Sequence, residues 1–487
     1  MSYVLNTPDH QRAMLKQVGA ESIQDLFKSI PASLQLKRPL NVPPALTEIE
    51  LTQHLQHLAA CNQGADDAVC FLGGGSYDHF IPAVVDAVAG RSEYYTAYTP
   101  YQAEASQGSL QVFFEYQTLI CQLTGMDIAN ASLYDGGSAV AEAAFMAITV
   151  TQRHGQVLVA ESVHPEYRQT LATYMHNLDA RAVTLPTPQG FVDPDDLKRA
   201  IDDQTACVVV QHPNFFGCLE EVEALARIAH ERGALFIVSF DPISLGLLKR
   251  PGQYDADIAV AEGQCLGNPM SYGGPYLGIL ACREKFLRKM PGRLVGQTVD
   301  RNGKRCWVLT MQTREQHIRR EKATSNICTN QGLMALKAAV YLTALGPQGL
   351  KETAELCTRK ANYAASQLTQ LAGVSLRFDR PFFKEFTLHV QGKVPRLLQG
   401  LLAGGYHAGL ALGRWYPSLG NCVSVAVTEK RTLAEIDGLV RDWDNVRSLA
   451  QAEALAEERV AKLPKEANAL ATRTRRKSGH ERDSRRS

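Results

Sequence analysis

Between Asp66 and Gln331, short and wholly apolar runs alternate with longer amphipathic stretches, and this alternation leaves the chain few folds to choose from. The runs are Val157-Leu-Val-Ala160, Cys207-Val-Val-Val210, Leu235-Phe-Ile-Val238 and Asp257-Ile-Ala-Val260. Residues 139–153, 165–177, 194–201 and 220–232 have helical spacing. A strand without a polar face must be covered on both sides, and helical crossovers supply that cover. The expected class is therefore α/β with a mainly parallel sheet. Ligands of such sheets collect at the carboxyl ends of the strands. His164, Asn214 and Asp241 each stand just past such an end.

Four segments are expected. Residues 1–65 form a helical arm in which Thr47 and Glu50 make a capping box. The arm is too short for a core of its own and is expected to pack on a neighbour. Residues 66–331 form the large α/β domain, and 332–446 a smaller α+β domain whose strands alternate like half-exposed ones. Residues 447–487 read as a disordered basic tail, with seven basic against two acidic residues from Arg473 onward. No aromatic residues interleave those charges, so no nucleic-acid partner is expected. No apolar run reaches the roughly 18 residues of a membrane helix, and the polar start is unlike a secretory signal. With 11 cysteines and no C-x-x-C pair, reduced thiols in a cytoplasmic protein are expected, and no structural metal.

Four features bear on chemistry. Asp135-Gly136-Gly137-Ser138 stands before the stretch 139–153, where small residues let backbone amides close on an anion. The same string also makes a simple turn with an N-cap. His164 would present a flat imidazole at the ligand edge, or settle into hydrogen bonds within its loop. A carboxylate at Asp241 suits the protonated nitrogen of a ring, and equally suits a cap on the next turn. The stretch Tyr94-Tyr95-Thr-Ala-Tyr98-Thr-Pro-Tyr101-Gln102 follows neither helical nor strand period. Its tyrosines offer apolar walls with hydroxyl tips for a small polar substrate or a partner, or they pack the loop onto the core.

The order of small-residue turn, histidine, aspartate and glycine-rich turn (Tyr272-Gly-Gly-Pro275) resembles the pyridoxal-phosphate (PLP)-dependent transferases of fold type I, the aspartate aminotransferase-like class. Three longer stretches are more specific: 94–102, Ala129-Asn-Ala-Ser-Leu-Tyr-Asp-Gly-Gly-Ser138 and Glu321-Lys-Ala-Thr-Ser-Asn-Ile-Cys-Thr-Asn-Gln331. They are similar to glycine dehydrogenase (decarboxylating), the P-protein of the glycine cleavage system. Within that family they most resemble subunit 1 of the two-subunit bacterial form. The likeness runs from about Thr7 to Val446, and the basic tail falls outside it.

In that family the companion subunit holds PLP on the lysine of an Asn-x-His-Lys-Thr stretch. Laid on this chain, the stretch places Gln264 at the histidine and Cys265 at the lysine, and no lysine occurs between Lys249 and Lys285. A thiol cannot form the imine that holds the cofactor. The resemblance thus implies no covalently bound cofactor here and a vestigial, structural pocket of Gly136, Gly137, Ser138, His164, Asp241 and Cys265. It implies PLP on subunit 2, two copies of each subunit, and activity only in the complex. The implied reaction is decarboxylation of glycine, with the aminomethyl group passing to the lipoyl arm of the H-protein. Tyr94, Tyr95, Tyr98, Tyr101 and Gln102 are the expected contribution to an active site at the subunit interface. Two other readings stay open: a self-sufficient PLP enzyme using Lys249, and a purely structural or regulatory subunit.

Overall fold

The structure, a computed structural model, describes residues 5–461, and of 449–461 the helical backbone alone. The basic stretch from Arg473 onward lies outside the described residues. The chain divides into two units, Met1–Gln63 and Gly64–Ser487.

In the first unit, helices Pro8–Gln17 and Glu48–Ala60 flank a 3-10 turn at Ile23–Phe27. Each begins with a capping box, at Thr7, Ser22 and Thr47, which closes first-turn amides that would otherwise lack partners. None of the three buries a residue, so local capping rather than a core defines these elements.

The second unit is built on a seven-stranded sheet. Strands Gln156–Ala160, Arg181–Leu185, Thr205–His212, Leu235–Phe240 and Ile258–Glu262 run parallel to their neighbours. Gly278–Cys282 runs antiparallel beside Ile258–Glu262, and the short strand Ile128–Ala129 pairs antiparallel with it at the edge. Leu235–Phe240 and Ile258–Glu262 are buried along their whole length, as expected of strands covered on both faces. Helix Gly136–Thr151 packs across this sheet and buries twelve of its residues, eight of them Gly, Ala or Ser, whose small side chains allow close helix–sheet approach.

A helix from Gly332 to Leu368 bends at Gly346 (φ +62°) just before Pro347, where a left-handed residue and a missing amide interrupt the ladder. Two helical segments thus meet at the kink. Beyond it lies a four-stranded antiparallel sheet of Val374–Leu376, Glu385–Val390, Cys422–Ala426 and Leu410–Ala411. The last helix, Leu433–Ala461, continues past residue 447, where a tail was expected to begin. All 11 cysteines are free.

The two sheets meet where Gly217 (φ +89°) passes the backbone of Glu385, and a Cβ added to Gly217 would lie 1.9 Å from the Glu385 carbonyl oxygen. Gly217→Ala is therefore expected to cost about 2–4 kcal/mol through combined strain and overpacking. Gly303→Ala, also at positive φ but with open space around it, should cost only about 1 kcal/mol. Urea unfolding of the two variants checks the difference.

Candidate functional site

Two cavities draw together the residues singled out from the sequence. The first lies at the carboxyl ends of the parallel strands and is lined by Tyr77, Tyr167, Asn214, Asp241, Glu262, Cys265 and Lys384, among others. Its volume is about 30 Å³, room for two or three waters by the usual requirement of roughly 10–15 Å³ each.

Asp241 ends the strand Leu235–Phe240 and does two things. Its Oδ1 accepts from the Ile243 amide (3.0 Å), capping the next turn, and its Oδ2 lies 2.7 Å from Lys384 Nζ. Lys384 is 1% exposed. Its ammonium stands 3.6 Å from the Tyr77 ring centroid and 2.9 Å from His79 Nε2. Burial alone would lower the lysine's pKa, but Asp241 beside it holds it above the ordinary value. His79 accepts from the ammonium, so its Nδ1–H donates to Glu429 at 2.6 Å. Burial would raise the Glu429 carboxyl, but His79 and the Phe80 amide hold it down at about 2. Cys357 joins His79 and Glu429 in a cluster of metal-ligand spacing. Both ring nitrogens are engaged, one by a cation, which disfavours a metal there.

Gly136, Gly137 and Ser138 form the first turn of their helix rather than a loop before it, and Asp135 is the N-cap, accepting from the Ser138 amide at 2.7 Å. The amide of Gly136 donates to Glu262 Oε2 (3.0 Å). The Oε1 of the same carboxyl accepts from the amides of Gln264 (3.0 Å) and Leu277 (2.9 Å). His164 caps its own helix, and its Nε2 hydrogen-bonds the Gly74 carbonyl at 2.7 Å. Its ring stacks on Tyr167 at 4.4 Å, not on an open ligand face. Burial pulls its pKa down to about 4, leaving it neutral. Cys265 is 3% exposed, and burial pushes its thiol far above the ordinary value. Lys249 is exposed and paired with Glu223, so it does not enter the pocket.

The second cavity, about 220 Å³, is lined by Tyr94, Tyr95 and Tyr98 on one side and Thr329, Asn330 and Leu333 on the other. Tyr98 is 89% exposed. Tyr101 does not line it: its hydroxyl bonds Arg293 at 3.2 Å, and Gln102 is exposed at the surface. Arg293 is buried and also donates to the Cys328 carbonyl (2.6 Å) and to Asn330 Oδ1 (2.9 Å). Asn330 donates in turn to the Ala131 carbonyl, and Tyr134 accepts from the Cys328 amide. Two of the three long motifs thus line this cleft, and the third, through Ala131 and Tyr134, hydrogen-bonds the segment that carries Asn330.

Residues 1–442 match the family model described as glycine cleavage system P-protein. The chain belongs to that family. It is 54% identical to "Probable glycine dehydrogenase (decarboxylating) subunit 1" of Carboxydothermus hydrogenoformans over 440 residues, 90% of this chain and 98% of the relative. It is 52% identical to the protein of the same name from Desulforamulus reducens, over 90% of this chain and 98% of that one. Among solved structures, glycine decarboxylase (P-protein) of the glycine cleavage system, in inhibitor-bound form, superposes with a TM-score of 0.84 at 44% identity, covering 92% of this chain and 100% of that one. A sphingosine-1-phosphate lyase of Burkholderia pseudomallei superposes at 0.62 with 15% identity, over 89% of this chain and 98% of that one, a likeness of fold alone. The fold is that of the type I PLP-dependent enzymes.

This P-protein family chain does not fit the cofactor of that fold in its own first cavity. The cavity holds only about 30 Å³, the Gly136 amide at the helix start is taken by Glu262, Asp241 is paired with Lys384, and Cys265 stands where the family resemblance leads one to expect the lysine. Sequence reading missed Lys384, Glu262 and Arg293. Glu262 had a signal, since it ends a buried strand as the residue before Asp241 does.

Burial pushes the Glu262 carboxyl up to about 8, against the pull of its three amides. The folded chain keeps this proton where an unfolded carboxyl, with an ordinary value of 4.5, has lost it. Its stabilising contribution is full below that value and declines as the pH rises through about 8. Relative to Glu262→Gln, the wild type should lose Tm progressively as the pH is raised across this window. Parallel Tm curves would contradict the assignment.

Proposed function

We propose that this chain is the subunit without PLP in a two-subunit, soluble cytoplasmic glycine decarboxylase. The companion subunit 2 carries PLP, and the assembly holds two copies of each. The complex decarboxylates glycine and passes the aminomethyl group to the lipoyl arm of the H-protein. The observation that carries this reading is Cys265: the position expected of the cofactor lysine holds a buried thiol, and the one lysine among the lining residues, Lys384, is tied to Asp241. The likeness to relatives named subunit 1 over nearly their full length supports the division of labour.

The part this chain plays is then at the tyrosine cleft. Tyr94, Tyr95 and Tyr98 present a partly exposed aromatic wall beside Asn330, suited to completing the entrance of a site carried by the companion. No helix among the described residues is long and apolar enough to cross a membrane. The apolar residues of the arm, such as Phe27, Ile49 and Leu55, are exposed and give the companion a surface to cover.

Two measurements on the reconstituted complex test the proposal. Borohydride reduction should fix the cofactor to the companion alone, and label on this chain would overturn the assignment. Joint replacement of Tyr94, Tyr95 and Tyr98 by Phe should lower glycine–bicarbonate exchange by roughly tenfold through the lost hydroxyl contacts, with Tm and stoichiometry unchanged. Full exchange activity would reduce this chain to a structural partner.

A further inference from the structure

Loss of the cofactor lysine does not by itself close a cofactor pocket. A pocket of this class keeps two polar ends, an amide cradle for an anion and a carboxylate for a ring cation. Both become costly when buried without a partner. In this chain neither end lacks one. We infer that the chain supplies its own stand-ins for the cofactor, the Glu262 carboxyl in the anion cradle and the Lys384 ammonium opposite Asp241, and that the second of these latches the small domain shut over the pocket. The inference rests on the reading that the cavity is the counterpart of a cofactor pocket.

The geometry at the cradle is that of an occupied site. Glu262 takes the Gly136 amide at the helix start and two further amides, those of Gln264 and Leu277. Even a methyl group has no room there, since a Cβ on Gly136 would stand 2.6 Å from the Tyr167 hydroxyl and 3.0 Å from Glu262 Cβ. At the other end, Lys384 sits against the Tyr77 ring with its Nζ on Asp241 Oδ2, the place a ring cation would take.

The two stand-ins come from different parts of the fold. Glu262 belongs to the large sheet, whereas Lys384 immediately precedes the small-domain strand Glu385–Val390. Its ion pair with Asp241 therefore crosses between the domains. A strap, residues 73–80, runs over the same junction and is tied on both sides. The Tyr77 amide donates to Gln264 Oε1 of the large domain (2.9 Å), and Gln264 Nε2 donates to the Tyr77 carbonyl (3.1 Å). Its hydroxyl donates to Glu385 of the small domain at 2.8 Å, and Gly74 donates to the same carboxyl at 2.9 Å. Asp78 pairs with Lys430 and Arg431, at 2.7 and 3.0 Å. Opening the pocket to a ligand would break the latch and the strap together.

The test uses the full chain. Asp241→Asn keeps the acceptor that caps Ile243, and Lys384→Met keeps the stem over Tyr77, so each removes one charge with little change of shape. Each single variant should lower Tm by about 5 °C or more, because it leaves a buried charge unpaired. The double variant should recover at least half of that loss. A double variant no better than the worse single one, including one that fails to fold, overturns the latch and leaves the proposed function standing. Equilibrium dialysis of the wild-type chain against PLP, and separately against inorganic phosphate, should show no stoichiometric binding of either. Binding of phosphate alone overturns the stand-in at the cradle. Binding of one PLP per chain overturns both stand-ins, and the assignment of PLP to the companion with them.

Discussion

The packing of the two domains depends on one buried ion pair, Lys384 with Asp241. Two charges withdrawn from water are tolerable only when each finds a partner and the remaining donors are used. Lys384 meets that condition through His79 and the face of Tyr77, and His79 hands the polarity on to Glu429. From Glu429 the chain of contacts reaches the Phe80 amide and, through neighbouring Lys430 and Arg431, Asp78. The members of this polar chain lie in the strap and in the segments that adjoin strands of both sheets. Domain closure is thus fixed by electrostatic satisfaction in addition to apolar contact.

The two cavities divide the work of the molecule. The one at the strand ends, where a fold of this type ordinarily does its chemistry, is filled by its own side chains and keeps only about 30 Å³. The other lies on the tyrosine loop, is about seven times larger, and is rimmed by aromatic residues that reach solvent. Under the function proposed above, the old centre of the scaffold would be silent and its periphery would serve a neighbour's reaction. Function follows the site and not the fold.

Much of this was legible in the sequence. Wholly apolar runs separated by helical stretches specify a covered sheet, and the ends of those runs located Asp241 correctly at the first cavity. The stretch 94–102 read as a loop with aromatic walls because it follows neither helical nor strand period, and Tyr94, Tyr95 and Tyr98 line the second cavity. Lys384 stayed hidden because its role comes from tertiary contact: it reads as the polar start of a half-exposed strand, and its partner lies far back in the chain. His164 was placed in the right neighbourhood with its ring direction unknown, since whether an imidazole faces a ligand or a carbonyl depends on Gly74, again far away in sequence. Tyr101 shows the same limit. It shares a motif with Tyr98, yet the half-exposed Tyr101 is held by Arg293 and Tyr98 stands in solvent.

Arg293 also has a kinetic meaning. It ties Tyr101 to the segment ending in Asn330, and its contact with Tyr101 spans 192 positions of the chain. Closing loops of that size is entropically slow, and such contacts form only after the elements that bring them near are in place. The tyrosine cleft therefore depends on contacts that no local segment of the chain can make by itself.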